Sequence, residues 1–157
     1  MSATDKSKGS RRQGRTLAFQ VLFGLGFIDP EHDQGALRRV FVNNPAVAAS
    51  ESPEAVAFAS ELFTGASACL EETDKVIERH SDHWKLGRIG KVELAILRLS
   101  LYEILHRQDI PLKVAINEAI ELSKEFGDGN SRNFINGILD AAARAVESGA
   151  LGERKTF

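Results

Sequence analysis

The sequence predicts an all-α fold of about seven helices in two three-helix-type subdomains. Apolar residues recur at helical spacing almost throughout. No segment shows the alternation or the β-branched runs of a sheet, and helix start and stop signals punctuate the chain. With 157 residues, 43% of them hydrophobic, there is enough chain to bury a sizeable core. The expected organisation is a flexible basic N-terminus over 1–10, an N-terminal helical subdomain over 11–80, a C-terminal one over 81–147 and a flexible tail over 148–157, forming one compact domain overall.

A first helix is expected over about 12 to 28, closed by Asp29-Pro30. On a helical wheel Leu17, Ala18, Val21, Leu22, Leu25 and Ile28 share one face, while Phe19, Phe23 and Phe27 form a second stripe with Arg12 in line with it. Left bare, that stripe marks a protein interface; covered, it makes this the central helix. A shorter helix follows over about 33 to 43, then a small-residue linker over 44–52. Ser52-Pro53-Glu54 combines a cap, a proline at the first helical position and an acid in the first turn, and so starts a helix reaching about His80. A break is expected near Thr64-Gly65 or Glu72-Thr73. Ile89 to Arg107 is apolar on most sides and should be central. After Asp109-Ile110-Pro111 an amphipathic helix runs to Phe126, and the loop Gly127-Asp128-Gly129-Asn130-Ser131 leads to a last helix, with Asn130 or Ser131 as its cap and Phe134, Ile135, Ile138, Leu139, Ala142 and Val146 on its apolar face.

Charge is unevenly placed. The first fifteen residues carry Lys6, Lys8, Arg11, Arg12 and Arg15 against Asp5 alone, whereas the other 142 hold 15 basic and 21 acidic side chains. Arginines at a helix start oppose the helix dipole, so stability alone does not account for them. They read as an anion site, best suited to a nucleic acid backbone. Arg11 and Arg15 stand one turn apart with Arg12 adjacent, so their guanidinium groups can fork onto phosphates or stack on unpaired bases. Backbone amides at the start of the last helix offer a second anion-accepting spot. Five phosphate contacts on a single strand give at most a slope of about −3.5 in log affinity against log salt, which is weak binding that calls for a partner.

Other groupings carry less. His80 and His83 with Asp82 lack a third metal ligand. Asp128-Gly129-Asn130 fails as a calcium loop because Leu139 stands where a glutamate is required. Gly127 and Gly129 follow a helix rather than a strand and make no dinucleotide fingerprint. Asn117 and Glu118 have no evident base or nucleophile beside them, and Glu118 is expected to pair with Arg98. Cys69, the only cysteine, reads as a core residue, and Trp84 as an anchor between subdomains. No metal, cofactor or catalytic residue is expected. No run of about 18 apolar residues exists, so neither a membrane span nor a membrane partner is expected, and the location should be cytoplasmic.

The strings Gly87-Arg88-Ile89-Gly90-Lys91-Val92-Glu93-Leu94-Ala95-Ile96-Leu97-Arg98, Pro111-Leu112-Lys113-Val114-Ala115-Ile116-Asn117-Glu118-Ala119-Ile120-Glu121-Leu122 and Phe134-Ile135-Asn136-Gly137-Ile138-Leu139-Asp140 closely resemble the bacterial transcription antitermination factor family NusB. Leu101-Tyr102-Glu103 and the Arg-rich start running into Ala18-Phe19-Gln20-Val21-Leu22-Phe23 fit the same family, and the resemblance covers about residues 8 to 146 apart from 29 to 55. It implies a non-enzymatic, all-helical protein that binds single-stranded boxA RNA together with the small-subunit ribosomal protein NusE. The pair then joins other Nus factors on RNA polymerase, notably in ribosomal RNA operons. Carried over by position, the RNA surface comprises Arg11, Arg12, Arg15 and Gln20 with Gly127, Asp128, Asn130, Ser131 and Arg132; the partner surface comprises Phe23, Phe27 and Glu93. Gln13 interrupts a segment often arginine in the family, which weakens one phosphate contact. Phe23 stands at a tyrosine-like position, which puts a hydroxyl contact to the partner in question.

Two rivals are a helical protein closing into a homodimer on the Phe19, Phe23 and Phe27 side, and the related RNA-binding domain at the front of ribosomal RNA cytosine methyltransferases. The latter would make this chain a fragment, since no methyl-donor domain follows residue 157.

Overall fold

The computed structural model describes the backbone of residues 3–25, 34–81 and 85–157, and the side chains of 9–25, 35–81 and 85–157. Among them are eight α-helices, one 3-10 turn and no strand: α1 (Ala3–Leu25), α2 (Gln34–Asn43), α3 (Pro45–Ala49), α4 (Pro53–Ala68), α5 (Leu70–His80), the 3-10 turn (Leu86–Arg88), α6 (Lys91–His106), α7 (Leu112–Phe126) and α8 (Ser131–Glu147). They fall into two compact units, Met1–Ala68 and Cys69–Phe157. The helix over 70–80, grouped by the sequence with the first half, packs instead in the second unit on α6 and α8.

In the first unit α1 lies along α4. It begins at Ala3 rather than near residue 12, so residues 3–10 are helical and not the flexible stretch expected. Lysine, arginine and alanine favour helix, and the two glycines up to residue 14 cost only about 1 kcal/mol each. Leu17, Ala18, Val21, Leu22 and Leu25 are buried, and so is Phe19 on the other stripe. Phe23 is half-buried and stacks on Phe19 with ring centroids 6.0 Å apart. Phe27, Ile28 and the Asp29-Pro30 stop lie outside the described residues. Gly14 is the point of closest approach: a β-carbon there would stand 2.9 Å from the Ala55 carbonyl oxygen and 2.9 Å from Phe58 Cδ2.

The stretch expected as a linker contains α3. The Asn44 side chain accepts from the Ala46 and Val47 amides at 2.9 and 3.4 Å, Pro45 supplies the first helical position, and Val47 is buried. At the start of α4, Ser52 Oγ accepts from the Ala55 amide at 3.2 Å. That helix ends at Ala68, later than Thr64-Gly65 and earlier than Glu72-Thr73. In its last turn the Ser67 hydroxyl donates to the Phe63 carbonyl at 2.6 Å. Phe41 of α2 stacks on Phe63 of α4 at 5.6 Å.

In the second unit α6 contacts α5, α7 and α8 and is buried from Ala95 to Leu97, Leu99 to Leu101 and Glu103 to Leu105. Arg98, expected to hold Glu118, makes a two-pronged pair with Asp74 of α5 at 2.8 Å on both prongs. Burial, helped by Glu72 and Asp74, pushes the Cys69 thiol up to about 11, so it is no ready nucleophile. Trp84, His83 and Asp82 lie outside the described residues. Among those described, no group of three or more metal-ligating side chains is arranged to hold an ion, and no helix is long and apolar enough to cross a membrane.

The last ten residues are not the flexible tail expected. Gly149 at φ 84° turns the chain, and Lys155, only 7% exposed, donates from Nζ to the Glu103 and Arg107 carbonyls at 2.9 Å each. Both carbonyls also accept backbone amides, Glu103 from Arg107 and Arg107 from Ile110, so the ammonium adds a second donor at the negative end of the helix dipole. Burial lowers the Lys155 pKa from its ordinary value, with Glu103 and Asp109 opposing.

Replacing Gly14 by alanine should destabilise the chain by about 1–3 kcal/mol, because overpacking at the crossing outweighs the helix-propensity gain of about 1 kcal/mol. Urea unfolding at fixed temperature measures this; a stabilised Gly14→Ala variant would show that α1 and α4 do not meet there.

Candidate nucleic-acid interface

Arg11 and Arg12 are exposed on α1, well inside a helix that begins at Ala3, so they do not stand at a helix start against its dipole as the sequence suggested. The Arg11 guanidinium lies over the Phe58 ring of α4, 5.1 Å from its centroid, so this residue is held by a rigid apolar platform rather than swinging in solvent. Arg15 lies over the same ring at 5.3 Å but is only 4% exposed. The three arginines are therefore not equivalent: Arg11 and Arg12 are exposed, and Arg15 belongs to the packing of α1 on α4. The Arg12 carbonyl accepts the Thr16 hydroxyl at 3.2 Å. Gln20 is half-buried on the same helix, and Gln13 is exposed.

The loop before α8 departs from the expected anion spot. The cap is Asp128, not Asn130 or Ser131: its Oδ1 accepts from the Asn130 and Ser131 amides at 2.9 and 3.2 Å. Ser131 Oγ in return accepts the Asp128 amide at 3.0 Å, so the two side chains satisfy each other's backbone in a reciprocal capping box. The first amides of the helix already face a carboxylate, and an incoming phosphate would have to displace it. Those bonds, the Asn130 amide foremost, hold the Asp128 pKa below its ordinary value. Asp128, Gly129, Asn130 and Arg132 are exposed around this cap, while Ser131 is buried and Gly127 half-buried.

Of the residues assigned to a protein partner, Phe23 is half-buried against Phe19, and Phe27 lies outside the described residues. Glu93 is half-buried, and its carboxylate takes a short hydrogen bond from Ser131 Oγ, so it is engaged within its own unit.

Two residues escape the sequence reading. Phe58 looks like core on the face of α4 that also holds Ala55, Ala59, Leu62 and Ala66, and only the pairing of α1 with α4 reveals it as a platform for arginines. The Asp128 cap, by contrast, has a legible signal in an acid followed three residues later by a hydroxyl before an apolar run.

The NusB family model matches residues 12–144. The transcription antitermination protein NusB of Nitratidesulfovibrio vulgaris is 51% identical over 152 residues, covering 96% of this chain and 99% of its own length. The Myxococcus xanthus protein of that name is 42% identical over 142 residues, covering 88% and 97% respectively. Among solved structures, NusB of T. maritima superposes with a TM-score of 0.71 at 34% identity, covering 85% of this chain and 90% of its own. A crystal structure of antitermination factors NusB and NusE in complex with double-stranded RNA gives 0.73 at 26% identity, covering 87% and 97%.

The Asp128 cap makes a pH prediction. A carboxyl whose folded-state pKa lies below its unfolded one stabilises fully above the unfolded value and loses that effect as pH falls through the folded value. Asp128→Ala should therefore lower Tm near pH 7 and converge with the parent chain as pH falls below the ordinary 3.8. Calorimetry across pH 7 to about 3 tests it; a gap that stays constant with pH would mean that the carboxylate is not the cap.

Proposed function

The chain belongs to the NusB family, and from that premise we propose that it is a transcription antitermination factor binding boxA RNA jointly with NusE, and so sustaining transcription of ribosomal RNA operons. The observation that carries this reading is the pair of exposed residues Arg11 and Arg12 on α1, with the Arg11 guanidinium over the Phe58 ring. A guanidinium placed by a ring loses less ordering entropy on meeting a phosphate or an unpaired base.

Charge on this surface is limited. Arg15 is buried and the amides before α8 are occupied, which leaves fewer phosphate contacts than the basic count promises. Weak binding by the chain alone follows, with NusE supplying the remainder. In the second unit the exposed Asn130 and Arg132 side chains, and in the first the half-buried Gln20, are among the polar groups that can read base edges, which needs unpaired bases, and hence a single strand. Phe23 offers NusE an aromatic contact without a hydroxyl. Assembly with further Nus factors and RNA polymerase would follow from the NusE-bound state.

Titrating single-stranded boxA RNA, with the same sequence as a duplex alongside, is the decisive experiment. Affinity should rise when NusE is added, and Arg11→Ala and Arg12→Ala should each reduce the log–log salt slope by about 0.7. Arg15→Ala should lower Tm with little change in that slope. No gain from NusE together with unchanged binding in the Arg11 and Arg12 variants would overturn the proposal.

A further inference from the structure

We propose that Glu93 is a positioning residue: through Ser131 it fixes the loop over 127–132, rather than meeting a protein partner by its charge. The proposal rests on the RNA-binding reading above for what the loop does, and on geometry within the second unit for how it is held. Glu93 sits in the first turn of α6 and Ser131 opens α8, 38 residues later, and the serine hydroxyl donates to Glu93 Oε1. Ser131 Oγ also accepts the Asp128 amide, and Asp128 Oδ1 accepts the Asn130 and Ser131 amides. One chain of hydrogen bonds therefore runs from the α6 carboxylate to the Asp128, Asn130 and Ser131 amides that shape the loop.

The space around this chain is cut to fit it. A β-carbon on Gly90 would collide with the Glu93 carboxylate, and one on Gly127 would stand 2.7 Å from Ser131 Oγ and 2.8 Å from the Ser123 carbonyl oxygen. Backbone without side chains thus walls in both the acceptor and the hydroxyl. Ser131 is 2% exposed, whereas Asp128, Gly129, Asn130 and Arg132 around it are exposed. An arrangement with the hydrogen-bonded centre buried and the polar tips in solvent presents a surface, and its pose depends on the buried centre. A carboxylate that accepts such a hydroxyl acts through its oxygen, and a neutral amide oxygen can do the same.

That difference supplies the test. Four variants of the full chain, Glu93→Gln, Glu93→Ala, Ser131→Ala and the double alanine, are compared by amide exchange over 128–132 in the free protein and by boxA RNA affinity with NusE present. Loss of one buried hydrogen bond should speed exchange and weaken RNA binding by up to about tenfold in either alanine variant. The double variant should be no worse than the worse single one, because both break the same link. Glu93→Gln should stay within about twofold of the parent, since its amide oxygen still accepts. Exchange unchanged in Glu93→Ala overturns the proposal. So does a Glu93→Gln variant as weak as Glu93→Ala beside a Ser131→Ala variant that binds normally, which is the pattern of a charge facing a partner. If the parent chain binds no boxA RNA, the functional reading falls by itself, and the exchange data still decide whether Glu93 holds the loop.

Discussion

The close approach of α1 and α4 at Gly14 is the constraint on which the first unit depends. Only a residue without a β-carbon allows the Ala55 carbonyl and the Phe58 ring to come this near the first helix. The approach puts one aromatic ring beneath two guanidinium groups, at 5.1 and 5.3 Å. The contact that closes the core thus also sets where the Arg11 guanidinium lies. The start of α1 at Ala3 also removes the electrostatic oddity of its arginines, which lie well inside the helix and beyond the reach of the dipole at its first turn.

The two polar surfaces, one in each unit, are built on opposite principles. On α1, Arg11 and Arg12 are exposed and Arg11 lies over an uncharged ring. Before α8 the positive end of the helix is met internally by Asp128, with Glu93 accepting from the serine that completes the cap. The first is suited to attract a polyanion, and the second to hold the shape of its own loop. A second site of concentrated positive potential would raise affinity for any nucleic acid; a neutralised, rigid loop adds contacts without adding indiscriminate attraction.

How much of this could be read from the sequence depends on the range of the interaction. The all-α class, the entry to α4 at Ser52-Pro53 and the run of α7 from Leu112 to Phe126 follow from periodicity and caps, which are local. Family membership was legible in the strings over 87–140. The end of α4 at Ala68 was not, because no glycine or proline stands there to mark it. The docking of Lys155 was invisible, since the carbonyls it caps lie 52 and 48 residues away and a terminal run with two glycines has no period to betray it. Arg15 read as one more surface cation because a single-helix wheel places it near Arg11, and only the second helix decides which of them is covered.

The burial of Arg15 also bears on why the family works with a partner. A surface with more freely exposed arginines would bind RNA strongly and with little discrimination, because phosphate contacts carry no sequence information. Committing Arg15 to the Phe58 stack and Asp128 to the helix cap lowers the non-specific term at both surfaces. On the proposed function, occupancy then depends on base contacts and on the partner more than on bare charge. Because a lower non-specific term leaves base contacts untouched, a chain of this kind discriminates between sequences more sharply than a more basic one would.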